Sequence, residues 1–251
     1  MAGEHIIETR NLSKEFRGFL AVRDVDLRVR RGSIHALIGP NGAGKTTVFN
    51  LLTKFLEPTR GQILYEGRDI TRARPAELAR AGMVRSFQIS ATFPHLTVLE
   101  NVRIALQQSI GTSFHFWRSE ASLAVLNERA RELIEAVGLA GLENSTAAEL
   151  PYGRKRAVEI ATTLALEPEL LLLDEPTAGM GREDVGRVAD LIRRVAQDRT
   201  VLMVEHNLSV VADLCDVITV LQRGRILAEG SYAEVSDNPE VREAYMGTGR
   251  A

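Results

Sequence analysis

The sequence predicts an α/β fold: a mostly parallel sheet with helices, joined to an antiparallel β part and interrupted by an inserted helical part. Three observations lead there. Residues from about 4 to 86 are rich in strand patterns, and strand–helix alternation returns in the last third of the chain, as expected for a parallel sheet covered by helices. Between them, from about 88 to 165, the apolar spacing is helical. Sheet residues thus come from both ends, which makes the helical part an insertion. The organisation expected is one domain over 4–251, with its core at about 4–88 and 166–235. The insertion covers about 89–165, and a short helix follows at about 238–247.

Each element has its own pattern. In "VDLRVRRGSIHALIGP", Val25, Leu27 and Val29 alternate with Asp26, Arg28 and Arg30, the period of a half-exposed strand. "IHALIG" is a short apolar run ending in glycine, as in a strand buried on both faces. "GQILYEGRDI" reads as two short strands around a Glu66-Gly67 turn. In the insertion, Leu126, Ala130, Leu133, Ile134 and Val137 share one helix face, and Gly138 is placed to end it. "LLLLD" is a buried strand, and Val185, Val188, Ala189, Ile192, Val195 and Ala196 form a helix stripe. "TVLMVEH" is another strand, and "DVITVLQRGRILAEG" is a hairpin turning at Arg223-Gly224. The aromatic-rich segment "SIGTSFHFWRSE" fits no element.

Composition narrows the function classes. The 251 residues suffice for a substantial core, and 45% apolar with 25% charged residues is an ordinary globular mix. A net charge of -2 gives no basic field for nucleic acid or anionic lipid. The single cysteine, Cys215, excludes an intrachain disulfide. "MAGEHIIETR" has charges where a secretion signal needs an apolar stretch, and no run approaches the ~18 apolar residues of a membrane span. The chain is expected to be soluble by itself.

Chemistry concentrates in three places. "GPNGAGKTT" fills residues 39–47 between a strand and a helix: Gly39, Pro40, Asn41, Gly42, Ala43, Gly44, Lys45, Thr46 and Thr47. It matches the phosphate-loop pattern G-x-x-x-x-G-K-[ST] in full. Glycines let backbone N–H groups wrap phosphate oxygens, and the helix N-terminus adds a positive dipole. Lys45 supplies a charge for the β- and γ-phosphates, and the Thr46 hydroxyl suits Mg²⁺. "LLLLDEPTAG" sets Asp174 and Glu175 at the C-terminal end of a buried strand, where α/β sheets bind ligands. Asp174 suits Mg²⁺, directly or through water. Glu175, pointing the other way along the strand, is placed to polarise a water for attack on the γ-phosphate. His206 ends the next apolar strand and reaches toward the same edge. Gln88, where sheet gives way to helices, senses Mg²⁺ or the attacking water, or is simply a glutamine between segments. The third place is "ELPYGRKR", residues 149–156, which alone reads as a helix start.

In this order and spacing, the motifs resemble an ABC-type ATPase subunit over essentially the whole chain. The resemblance implies a P-loop NTPase core, ATP and Mg²⁺ as ligands, and Thr46, Gln88 and Asp174 at the metal. It implies Glu175, His206 and Gln88 as catalytic residues, and Phe16 as the aromatic that stacks on adenine. It identifies Leu150, Pro151, Tyr152, Gly153 and Arg154 as the signature that completes a partner subunit's nucleotide site. That signature normally reads Leu-Ser-Gly-Gly-Gln, so Pro151, Tyr152 and Arg154 depart from it. The loop after Glu175 departs too, reading "AGMGRED". "FPHLTVLENV", "VEHN" and the ending "RILAEGSYAEV…NPEVREAYMG" resemble the ATPases of branched-chain amino acid importers, with urea and amide systems close by. The implied partners are a second, different ATPase chain, with a homodimer as the alternative, two membrane permeases and an extracytoplasmic binding protein. The implied place is the cytoplasmic face of the membrane, with residues about 89–102 receiving the permease. ATPases of lipid or lipopolysaccharide exporters, and non-transport ABC ATPases, are the alternative readings.

Overall fold

In a computed structural model, residues 3–86, 92–109 and 126–246 are described. Gln88 and nearly all of the segment 109–120 lie outside them. The chain begins with β1 (His5–Phe16), β2 (Phe19–Val25) and β3 (Arg28–Arg30). Next come β4 (Ile34–Ile38), α1 (Lys45–Leu52), β5 (Arg60–Tyr65), β6 (Arg68–Asp69), α2 (Pro75–Arg80) and β7 (Met83–Ser86). Among the described residues three α-helices follow before the next strand: α3 (Val98–Ser109), α4 (Asn127–Ala136) and α5 (Tyr152–Leu164). Then come β8 (Leu170–Asp174), α6 (Arg182–Val195), β9 (Thr200–Val204) and α7 (Leu208–Leu214). The described part closes with β10 (Val217–Gln222), β11 (Arg225–Gly230), α8 (Tyr232–Asp237) and α9 (Pro239–Met246).

Two sheets result. One is antiparallel, ordered β2-β1-β5-β6, with β3 also on β1. The other is ordered β11-β10-β4-β9-β8-β7, parallel throughout except for the β10–β11 hairpin. Period-2 alternation splits the core between the two faces of the second sheet. Leu37, Leu170, Leu172, Leu202 and Val204 pack with Val48, Phe49, Leu51 and Leu52 of α1. Ala36, Ile38, Leu171, Leu173, Val201 and Met203 pack with the inserted helices and α6. The phosphate-loop helix and the insertion therefore sit on opposite faces.

The alternating run Val25–Arg30 does not form one strand. It divides at Asp26 and Leu27 because Thr9 of β1 enters the gap. Its hydroxyl donates to the Val25 carbonyl and accepts from Leu27 N–H, both at 2.8 Å. The alternation survives the break: Val25, Leu27 and Val29 are all buried. Both expected turns form, Glu66-Gly67 and Arg223-Gly224, with all four residues at positive φ, as two-residue hairpins require.

Candidate active site

Strands β4, β9 and β8 are parallel neighbours, so their C-terminal ends meet at one edge of the sheet. That edge carries Gly39, the pair Glu205–His206, and the pair Asp174–Glu175.

The loop 39–44 is held by close backbone approach. Gly39 has φ 146°, and a Cβ there would lie 2.1 Å from the Leu221 carbonyl oxygen. Gly44 has φ 101°, and a Cβ there would lie 2.7 Å from the Ala21 carbonyl oxygen. Gly42, by contrast, faces open space at φ 76°. The loop is tied to the β10–β11 turn by Gly224 N–H, which donates to the Ala43 carbonyl at 2.9 Å. Lys45 opens α1 and folds back over the loop. Its ammonium donates to the carbonyls of Gly39 at 2.7 Å and Pro40 at 3.0 Å. Burial lowers the Lys45 pKa, and the negative charge of Glu175 opposes that shift. Lysine and glutamate thus share one electrostatic neighbourhood. Asn41, Gly42 and Thr46 are exposed, leaving the outer rim of the loop open.

Glu175 does not continue the strand, as the alternating pattern suggested. β8 ends at Asp174, and Glu175 adopts φ 45°, the left-handed region that side chains rarely occupy. Its N–H donates to the Val204 carbonyl at 2.9 Å, which locks the turn onto β9. Such backbone strain costs on the order of 1–3 kcal/mol and persists where surrounding structure enforces it. The turn brings Glu175 Oε1 within 2.8 Å of His206 Nε2. Beneath this pair lies Glu205, which is buried. It accepts from His206 N–H at 2.7 Å, Asn207 N–H at 2.9 Å and Thr177 N–H at 3.1 Å, and also from the Thr177 hydroxyl. One carboxylate therefore braces the segments after β8 and after β9 against each other. Sequence reasoning passed over Glu205; a charged residue closing the apolar run "TVLMVE" was the available signal.

Asp174 is only 3% exposed and meets Arg85 of β7, whose Nη2 donates to its Oδ2 at 2.5 Å. Arg85 was missed as well, although a lone arginine in the mostly apolar "MVRS" was there to be read. Among the described residues no cluster of three or more His, Cys, Asp or Glu side chains is arranged to hold a metal ion. The donor set expected here, the Thr46 hydroxyl and the Asp174 carboxylate, has the chemistry of a site that borrows its remaining oxygens from nucleotide phosphates and water.

Phe16 and segment 150–154 lie on other elements. Phe16 ends β1, partly exposed, with the Lys14 ammonium 5.2 Å from its ring centroid. Its hairpin partner β2 reaches the phosphate loop through Ala21. Segment 150–154 starts α5, with Pro151 as N-cap in an extended conformation and no side-chain capping bond. Leu150 is buried, while Pro151, Tyr152 and Arg154 are exposed. Gly153 faces α6, where a Cβ would lie 2.8 Å from Asp184 Oδ1. Among the described residues, no hydrogen bond joins this segment to residues 39–47. One turn on, buried Arg156 bonds Glu159 at 2.6 Å and the Ser86 hydroxyl at 3.0 Å. That pins α5 to the end of β7.

Comparison with known proteins agrees with this geometry. The family model described as ABC transporter matches residues 22–178. A second, described as branched-chain amino acid ATP-binding cassette transporter, matches residues 225–251. The chain is 38% identical to the high-affinity branched-chain amino acid transport ATP-binding protein BraF of Pseudomonas aeruginosa, over 96% of this chain and 98% of that one. It is 37% identical to LivG of Escherichia coli K12, over the same shares. Among solved structures, the ADP conformation of an ATP-binding cassette of an ABC transporter superposes with a TM-score of 0.85. That structure is 31% identical and covers 98% of this chain and 100% of its own. A nucleotide-free cassette from an ABC transporter gives 0.83 at 30% identity, covering 96% and 98%.

Proposed function

The chain belongs to the ABC transporter ATP-binding family, and from that premise we propose that it powers an importer of branched-chain amino acids or related small polar solutes. As an ATP-binding subunit it hydrolyses ATP, and it works with membrane permease subunits. The observation that carries the reading is the shared strand-end edge. There a full phosphate loop, a buried lysine and the Glu175–His206 pair converge. Glu175 is the base that polarises the attacking water, and His206 orients it from 2.8 Å while facing the γ-phosphate. Lys45 holds the β- and γ-phosphates. Thr46 and Asp174 hold Mg²⁺, which neutralises developing phosphate charge when bound; Gln88 is the further residue expected near it. Phe16 stacks on the adenine.

Residues 150–154 serve the nucleotide bound to a second ATPase subunit. With Pro151 in place of serine, a hydroxyl donor worth roughly 1.5–3 kcal/mol toward a charged group is missing. What remains is Gly153, the helix N-terminus and the Arg154 charge. The permease docks in a groove of about 470 Å³ between the core and the inserted helices, walled in part by Phe55, Arg85, Phe93, Ile104 and Glu159. Phe55 and Phe93 are each 52% exposed, unusual for phenylalanines on a free surface. Buried Asn101 shapes the segment carrying Phe93, accepting from its N–H at 2.7 Å and donating to its carbonyl at 3.1 Å. Among the described residues no helix is long and apolar enough to cross a membrane, which suits attachment through permeases.

Purification of the tagged chain from native membranes tests this. Permease and binding-protein partners should co-purify, and reconstituted vesicles should take up leucine in an ATP-dependent way. Co-purification with an exporter's membrane subunits, or no solute uptake for any branched-chain or small polar solute, contradicts it.

A further inference from the structure

Arg85 stands between the two sides of the expected metal site. Its Nη2 donates to Asp174 Oδ2 at 2.5 Å, and its Nη1 donates to Asn50 Oδ1 at 2.7 Å and Thr53 Oγ1 at 3.2 Å. Asn50 belongs to α1 and Thr53 caps it; that helix begins with Lys45 and Thr46. The guanidinium also lies 5.0 Å from the Phe49 ring centroid and 5.2 Å from that of Phe55. A planar cation gripped by three acceptors and two rings has one available orientation. It therefore fixes the spacing between the end of β8, which carries Asp174, and the helix that starts with Thr46.

Charge bookkeeping gives a second consequence. A carboxylate as buried as Asp174 requires a compensating cation, and Arg85 is already that cation. A divalent ion arriving at Asp174 meets a like charge a few ångströms away, and Oδ2 is already engaged by Arg85. We propose that Arg85 is a positioning residue for Mg²⁺: it aims Asp174, braces it against the phosphate-loop helix, and as a resident cation keeps ion binding weak. The proposal rests on the reading of Asp174 as the magnesium carboxylate.

The test is a Mg²⁺ titration of fluorescent-ADP binding to the full chain, comparing wild type with Arg85→Gln, Arg85→Lys and Asp174→Asn. Arg85→Gln should lower the Mg²⁺ half-saturation by about tenfold, the effect of removing one nearby like charge whose field is screened nearly as in water. Arg85→Lys keeps the charge but loses the fork that aims Asp174, so its half-saturation should rise, by about two- to fivefold. An Arg85→Gln half-saturation equal to or above that of wild type overturns the proposal. If Arg85→Gln does not fold, Arg85→Lys decides, and a half-saturation equal to or below that of wild type overturns it. Asp174→Asn should raise the half-saturation. If it leaves the value unchanged, the magnesium reading of Asp174 itself has failed and the proposal falls with it. If Asp174→Asn responds and Arg85→Gln does not, only the role of Arg85 is lost.

Discussion

Residues 39–47 and residues 150–154 each lead into a helix with glycine and a basic residue close at hand, yet the chain treats them differently. In the first, Gly39 and Gly44 sit at positive φ against backbone oxygens, and Lys45 is buried over its own loop. In the second, Pro151, Tyr152 and Arg154 are exposed, Tyr152 by 57%, and Gly153 faces the Asp184 side chain rather than backbone. One segment is finished within its own subunit; the other presents a surface, as suits the proposed role on a partner's nucleotide. The lesson concerns tolerance. Motif residues locked by backbone contact have little freedom to vary, whereas those that face outward are not constrained by their own subunit's backbone.

The largest expected effect probes what anchors the second segment. Glu159→Ala takes the 2.6 Å carboxylate from buried Arg156, which keeps its Ser86 bond, and should destabilise the chain by about 3 kcal/mol in denaturant unfolding. A loss near zero would mean that the Arg156–Glu159 pair does not anchor α5. Lys45→Ala comes next. It should weaken nucleotide binding by roughly 1.5–3 kcal/mol in calorimetric titration, the worth of a charge-assisted bond. Arg154→Ala should leave this subunit's own nucleotide affinity unchanged and slow only ATP-dependent closure with the partner. Equal losses from both would erase the distinction between the segments.

Glycine substitutions sharpen it. Gly44→Ala imposes a side chain at φ 101° with backbone 2.7 Å away, and should cost about 1–3 kcal/mol. Gly153→Ala meets the Asp184 side chain at Oδ1, Cγ and Cβ, 2.8 to 3.1 Å away, without the strained φ or the backbone clash of Gly44, so it should cost less than Gly44→Ala. Thermal unfolding of the two variants side by side checks the ranking.

What the residues disclosed in advance was whatever depends on local pattern. The strand-then-loop "IHALIGPNGAGKTT", the buried "LLLLD" and both hairpin turns were legible because period, glycine placement and turn chemistry are local signals. What stayed hidden depends on partners far along the chain. Arg85 meets Asp174 across 89 positions, and Glu205 braces Thr177 across 28. Thr9 splits the run Val25–Arg30 from another strand altogether. The left-handed turn at Glu175 was hidden for another reason: glutamate carries no preference for that conformation, and the Val204 carbonyl imposes it.

Glu175 is therefore where the account is most exposed. Glu175→Gln keeps the size of the side chain and one oxygen for His206 but removes the base. Single-turnover ATP hydrolysis by the transporter assembled with this variant measures its role directly. The account predicts stoichiometric ATP binding with phosphate release abolished. Phosphate release near the wild-type rate would contradict it.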